Sequence, residues 1–328
     1  LRLIIEARFG APGNRTPLKK LNFKLFYLKI RYFIKLYDLK IILKNMLKKK
    51  LYVLIKGGLG NQLFIYTAAQ SLAKKNNINQ IFYINTGDVL VGSDFQSKKI
   101  QDIDYYIKNI KIKKDFLNNK YLNFLYVFFK YKLFNKVITD RNILNSKINF
   151  FNRGITIDGF FQNKKIFYDQ LENTIDKIYL NRIKNNIKNN NLVISLSLYC
   201  QFGFTIPIDF YLNAMKKLRI KKNEKIIITT DDEWYGKLFL TYLKTYGFTK
   251  ILINFNKNKT AFDDFSTIAN SEKLIMSTST FCWWAAVIRK KIGHKDQNVV
   301  CPKVWLSDKN KKLFKTVDLR IKNNWIYL

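Results

Sequence analysis

The chain alternates short, continuously apolar runs with stretches of helical period. Residues 51–55 form such a run, and Gly57, Gly58 and Gly60 follow it. Five apolar residues bounded by glycine read as a strand buried on both faces of a parallel sheet. A helix is expected from about Asn61 to Lys75. Phe64, Ala68 and Leu72 recur there at helical spacing, and Lys74 and Lys75 suit the negative end of a helix dipole. Residues 81–84 are the next strand. Strand, glycine turn, helix and strand together imply a right-handed parallel crossover.

Residues 100–190 read as helical and basic, with one strand near 155–157. Within them, residues 121–134 are apolar but interrupted by Asn123, Lys130 and Lys132. That run falls short of the roughly 18 apolar residues of a membrane span and reads as a buried helix. A second series starts at Leu192, with strands at 193–198, 226–228, 251–253, 274–276 and 299–300. One of its helices follows Asp231-Asp232-Glu233 and stops at Gly247. This alternation points to a doubly wound α/β architecture, divided into residues 46–190 and 191–328. Residues 1–20 show no clean period, and residues 1–45 together read as an extension peripheral to the natural folded unit or foreign to it. Residues 21–45 mix Leu, Phe, Ile and Tyr with Lys, as a basic amphipathic helix on a membrane surface would.

Composition narrows the picture. Hydrophobic residues make up 48 % of 328, enough for a sizeable core. The net charge is +36, from 59 basic and 23 acidic residues. Such a charge attracts anions, whether nucleic acid, phosphorylated sugars or an anionic membrane. The lysines are spread along the whole chain, which favours an ordinary solvated basic face. No nucleic-acid-binding module is recognisable, so no nucleic-acid partner is expected. Cys200, Cys282 and Cys301 have neither metal nor redox spacing and fit a reducing compartment. A cytoplasmic protein is expected, with peripheral contact at the inner membrane face as its closest approach to lipid. His294 is the sole histidine, so no multi-histidine metal site can form. Between Gly293 and Lys295 it reads as a surface-loop residue.

Three segments carry residue types suited to chemistry. Lys56-Gly57-Gly58-Leu59-Gly60-Asn61-Gln62 joins a strand to a helix. Glycines there admit close backbone approach, and a helix N-terminus offers unpaired N–H groups to an anion. Many strand-to-helix turns need glycine for geometry alone. Ser277-Thr278-Ser279-Thr280 precedes another helix, where hydroxyls either cap the helix or cradle phosphate. Trp283 and Trp284, just beyond, read as core. Asp231-Asp232-Glu233 stands at a strand's carboxyl end, where open α/β sheets place ligands and where acids also cap helices. Asp263-Asp264 has the same two readings.

These segments resemble the signatures of family 11 glycosyltransferases, the bacterial α-1,2-fucosyltransferases. Gly57 to Phe64, with Tyr66, resembles the family's opening motif. Asp158-Gly159-Phe160-Phe161-Gln162-Asn163, Thr230-Asp231-Asp232-Glu233-Trp234, Ser279-Thr280-Phe281-Cys282-Trp283-Trp284 and Cys301-Pro302-Lys303-Val304-Trp305 resemble four later ones, in family order. The resemblance runs from about Leu51 to Leu306. It implies a GT-B fold of two Rossmann-like doubly wound domains facing a cleft. It also implies a GDP-fucose donor, inversion at the anomeric carbon, and no cofactor or required metal. The acceptor would be a galactose-ended surface glycan, lipid-linked during assembly. By motif position, Gly57, Gly58, Gly60, Asn61 and Gln62 would border the donor cleft. Ser279, Thr280 and Phe281 would hold the donor diphosphate and nucleotide. Asp231, Asp232 and Asp209 are the candidate general bases.

One family motif is missing. His-x-Arg-Arg-x-Asp should follow the first strand of the second half, where its arginines neutralise the diphosphate. Here that stretch reads Val193-Ile194-Ser195-Leu196-Ser197-Leu198-Tyr199-Cys200-Gln201, and no His, Arg or Lys occurs between Lys188 and Lys216. Three readings follow. An active enzyme would use another cation, with Lys56, Arg289 and Lys303 as candidates by sequence position. An inactive relative would keep only the fold. A basic nucleic-acid-binding protein is the third.

Overall fold

In the computed structural model, nearly every apolar run becomes a strand. The described residues are 50–86, 103–115, 117, 119–133, 135–143, 154–184, 190–197, 206–254, 261–305, 317–321 and 324–328. The N-terminal extension, Cys200 and the stretch standing in for the arginine motif beyond Ser197 lie outside them. All the described residues fall in one of the chain's two compact units.

Two sheets form. The first holds β1 (Lys50–Ile55), β2 (Gln80–Asn85), β3 (Ile112–Lys114), β4 (Lys136–Ile138) and β5 (Ile155–Ile157). Their order is β3-β2-β1-β5-β4, and every pairing is parallel. The second holds β6 (Asn190–Leu196), β7 (Ile226–Thr230), β8 (Ile251–Asn254), β9 (Ser271–Ile275), β10 (Val299–Cys301) and β11 (Ile326–Tyr327). Its order is β11-β10-β9-β6-β7-β8, again all parallel.

The helices that matter below are α1 (Leu59–Lys75), α2 (Lys120–Val127), α3 (Lys164–Phe167), α4 (Leu171–Lys177), α5 (Leu180–Lys184), α6 (Ile208–Lys217), α7 (Glu233–Thr245), α8 (Ala261–Ala269) and α9 (Thr280–Arg289). Helix α1 starts two residues before the expected Asn61. Gly58 is extended and serves as its N-cap, and Gln62 N donates to the Gly58 carbonyl. Helix α7 ends as expected, with Gly247 left-handed at φ 82°. The buried helix expected over 121–134 is corrected. Helix α2 stops at Val127 and passes into a π-helical turn, Phe128–Lys132, and Leu122 is exposed. A single stripe, Asn123, Val127 and Tyr131, is buried. Val127 and Tyr131 lie over Leu54 and Ile84 of the first sheet. Of the polar residues that interrupted the apolar run, Asn123 is buried, with its amide donating to the Thr86 carbonyl, and Lys130 and Lys132 pair with Asp115 and Asp158.

Alternation along the second sheet sorts its side chains. Val193, Leu274 and Val299 join a core that also contains Leu51 and Val53 of the first sheet. Leu192, Ile194, Ile275 and Val300 point the other way, into a separate cluster with Tyr211 and Met215 of α6 and Phe239 and Leu243 of α7. Phe64 of α1 meets Trp283 and Trp284 of α9 at ring distances of 5.0 and 5.2 Å. Both tryptophans are fully buried, as their sequence reading expects. Each such ring contributes roughly 3 kcal/mol of burial.

Candidate active site

Ligands of open α/β sheets bind where the strand order reverses, beyond the strands' carboxyl ends. In the first sheet that point lies between β1 and β5, in the second between β6 and β9. The chain leaving β1 is Lys56-Gly57-Gly58, and the chain leaving β5 is Asp158-Gly159-Phe160. The chain leaving β9 runs through Ser277 to Thr280. Topology thus puts three of the segments singled out in the sequence at the two reversal points.

At the first, Asp158 takes Lys56 Nζ at 2.7 Å on one carboxylate oxygen and Lys132 Nζ at 2.6 Å on the other. The π-helical turn carries Lys132 there. Burial works to raise the Asp158 pKa, but the two ammonium groups, Lys56 foremost, overcome it and hold the carboxyl below its ordinary range. Lys56 also lies 5.0 Å from the Phe160 ring centre. The segment after Asp158 is held by Asp140, whose carboxylate accepts the backbone N–H groups of Phe160 and Phe161. A Cβ on Gly159 would come within 2.4 Å of that carboxylate, so only glycine fits. Phe161 is fully buried with φ 54°, a left-handed conformation that costs a bulky residue on the order of 1–3 kcal/mol.

That segment delivers Gln162. Its Nε2 donates to Asn61 Oδ1 at 2.9 Å, and Thr280 Oγ1 donates to the same oxygen at 3.0 Å. Asn61 therefore ties the glycine loop to segments 101 and 219 residues away. With its oxygen fixed by two donors, its NH₂ group has no protein acceptor among the described residues, and it faces Gly57. Gly57 is left-handed at φ 71°, and Gly58 borders open space. Gly60 has a different role. A Cβ there would lie 2.4 Å from Phe281 N and 2.4 Å from the Thr280 carbonyl carbon, so α1 and α9 touch backbone to backbone. Gln62 is buried, with Nε2 donating to the Gly57 carbonyl and Oε1 accepting from Ile103 N. Its amide is spent inside the protein.

On the second sheet, Ser195 and Ser277 hydroxyls lie 3.3 Å apart across the reversal point. Ser279 precedes α9, but its side chain makes no capping bond. The Phe281 ring packs edge-on against Phe265 at 5.2 Å. The Cys282 thiol is buried beneath, which pushes its pKa up to about 11 and keeps it protonated.

The acids are dispersed. Asp231 is exposed just beyond β7. Asp232 caps α7, its carboxylate accepting from Tyr235 N at 2.7 Å. Asp209 is exposed in the first turn of α6, on the opposite face of the sheet from α9. Arg289 is corrected as a replacement cation. It lies at the far end of α9, fully buried, and donates to the Ser271 and Glu272 carbonyls. His294 is half-buried rather than a free loop side chain, and burial, with Arg289 nearby, lowers its pKa. Among the described residues, no group of three His, Cys, Asp or Glu is arranged to hold a metal ion, and no helix is long and apolar enough to cross a membrane.

The five motifs thus have an address in the fold, and an independent comparison bears on them. Residues 203–328 match the model of glycosyl transferase family 11. This is the family named from the motifs. The matched segment takes in Asp209, Asp231, Asp232, Ser279, Thr280 and Phe281. It begins just after the stretch where the arginine motif is replaced. The O-antigen biosynthesis glycosyltransferase WbnK of Escherichia coli is 21 % identical over 302 residues, covering 80 % of this chain and 96 % of that protein. Among solved structures, the fucosyltransferase NodZ from Bradyrhizobium is 11 % identical, with 73 % of this chain and 92 % of that one covered and a TM-score of 0.43. A glycosyl transferase family 9 structure from Veillonella parvula is 10 % identical, with 86 % of each chain covered and a TM-score of 0.45.

Lys132, Asp140 and Gln162 were not nominated from sequence. Gln162 belongs to a family-like segment and could have been. Lys132 and Asp140 carry no local signal.

Proposed function

We propose that this chain is a glycosyltransferase that moves fucose from GDP-fucose to a galactose-type hydroxyl of a surface glycan, in α-1,2 linkage and with inversion. The observation that carries this reading is the convergence of the glycine loop, the Gln162 segment and the Thr280 segment on Asn61. The family match and the name of the Escherichia coli relative favour the same chemistry. Helices α1 and α9 both begin without a side-chain cap bond and without an acid in the first turn. Their N–H groups and positive dipole ends suit the donor diphosphate. The Asn61 NH₂ suits a sugar hydroxyl.

In the reaction, the acceptor oxygen attacks the anomeric carbon, the bond to the diphosphate breaks, and GDP departs with the electron pair. The acceptor proton goes to a carboxylate. We assign it to Asp231, which stands beyond the strand next to β6. Asp232 is engaged as a cap, and Asp209 sits across the sheet. Calorimetry should give micromolar binding of GDP-fucose in preference to GDP-mannose, and Asn61→Ala should lower kcat/KM by about 100-fold. A well-folded protein that binds neither nucleotide would sink this reading.

The second reading is an inactive relative that retains the fold. The observation favouring it is the fate of the replacement cations. Lys56 is paired with Asp158, Arg289 is buried far from the site, and Lys303 lines a separate cavity. Absence of GDP-fucose binding beside a normal unfolding transition would select it.

A further inference from the structure

A cavity of about 830 Å³ runs beside α6, on the face of the second sheet turned away from Asn61. Its volume suits a small ligand. Four cations line it: Lys216 and Lys217 at the end of α6, Arg219 just beyond, and Lys303 after β10. All four are exposed, and among the described residues none of the four forms an ion pair; no carboxylate side chain lines the cavity, although the main-chain oxygen of Leu328, the last residue, accepts from Lys303 N at its edge at 2.7 Å. Nearby lysines behave differently. Lys273 is paired with Glu224 and Lys237 with Glu233, both at 2.8 Å.

The dipole of α6 accounts for two of these cations, since lysines are favoured in a helix's last turn. It does not account for Arg219. That residue holds the left-handed position after the helix, φ 52°, with Ile220 N donating back to the Met215 carbonyl. Glycine is the favoured residue there, and arginine adopts that backbone conformation under strain. Nor does the dipole account for Lys303, which comes from a different strand. The remaining wall is mostly apolar, with Phe210, Pro207 and Val304, and is completed by the amide of Asn213 and by Leu328.

We propose that this cavity binds a phosphate-bearing anion of at least two charges, a phosphomonoester or diphosphate attached to an apolar or sugar group. The site is separate from the proposed donor site and does not rest on that reading. Clustered cations repel one another, and a dianion between them removes that repulsion. Arginine and lysine together supply both a fork of donors and point charges for phosphate.

The test uses the full chain and calorimetry with inorganic pyrophosphate, with circular dichroism to confirm folding. Saturable binding should weaken at least tenfold in the triple variant K216Q/R219Q/K303Q. It should persist in K74Q/K75Q/K108Q, which removes the same charge elsewhere, and in Thr280→Val at the donor site. Equal loss in both triple variants, loss in Thr280→Val, or no binding by the unaltered chain would overturn the proposal. Phosphatidylglycerol vesicles separate the sources. Vesicle binding that depends on the same three residues and is displaced by pyrophosphate identifies a lipid headgroup. Pyrophosphate binding with vesicle affinity equal in both triple variants identifies a free phosphate compound.

Discussion

The two reversal points of this molecule are built from different chemistry. The first, between β1 and β5, is charged: one carboxylate holds two lysines, and a second carboxylate clamps the neighbouring backbone. The second, between β6 and β9, shows hydroxyls, Ser195, Ser277 and Thr280, and no cation among the described residues of that rim. The lysines of the first point are already compensated by Asp158. Among the described residues, an anion held at the second point would meet helix N-termini and backbone N–H groups rather than a side-chain cation.

The largest predicted effect bears on the contact that joins the two points. Gly60→Ala drives a methyl into the Thr280–Phe281 backbone, which cannot swing aside. We expect a loss of about 3 kcal/mol in urea unfolding, with donor binding lost alongside. Gly58→Ala, two residues away in open space, should stay within about 0.5 kcal/mol, and equal effects at the two would refute the backbone contact.

Next comes the charged side. Asp158→Asn leaves Lys56 and Lys132 facing each other, each largely buried, at a cost of about 2 kcal/mol. The same region sets the acid limit. Asp158 titrates below its ordinary range, and Asp115 titrates at about 2. Burial alone would raise Asp115, but bonds from Lys130, Tyr131 and Tyr126 outweigh it. Depressed carboxyls contribute their stability fully above the unfolded value, near 3.8, and lose it as pH falls through the folded value. Stability should therefore decline from about pH 4 to pH 2, and less steeply in Asp158→Asn. An unchanged slope would remove Asp158 from the account. The smallest effect is on the hydroxyl side. Thr280→Val loses one of two donors to Asn61, about 1 kcal/mol, while donor affinity should fall further than stability. Equal falls would make Thr280 purely structural.

The strands were legible because burial on both faces writes a continuous apolar run, as at 51–55 and 226–228. Strands β3, β4 and β11 were not, since edge positions tolerate residues such as Lys113, Lys114 and Lys136, which break the pattern. Asn61, Gly60 and Thr280 could be named as site candidates from their segments. That Gly60 packs while Asn61 presents donors could not, because the distinction depends on a helix 219 residues away. Lys132 and Asp140 were hidden for the same reason: each acts through a partner about 20 or more residues distant, with no local period to mark it.

The crossing at Gly60 also bears on any relative motion of the two sheets. Side-chain contacts can slide, whereas two main chains meeting at a glycine act as a bearing. Rocking of one sheet against the other would turn about that point. Asn61, the next residue along, would sit almost on the axle, so its bonds to Gln162 and Thr280 would survive such rocking.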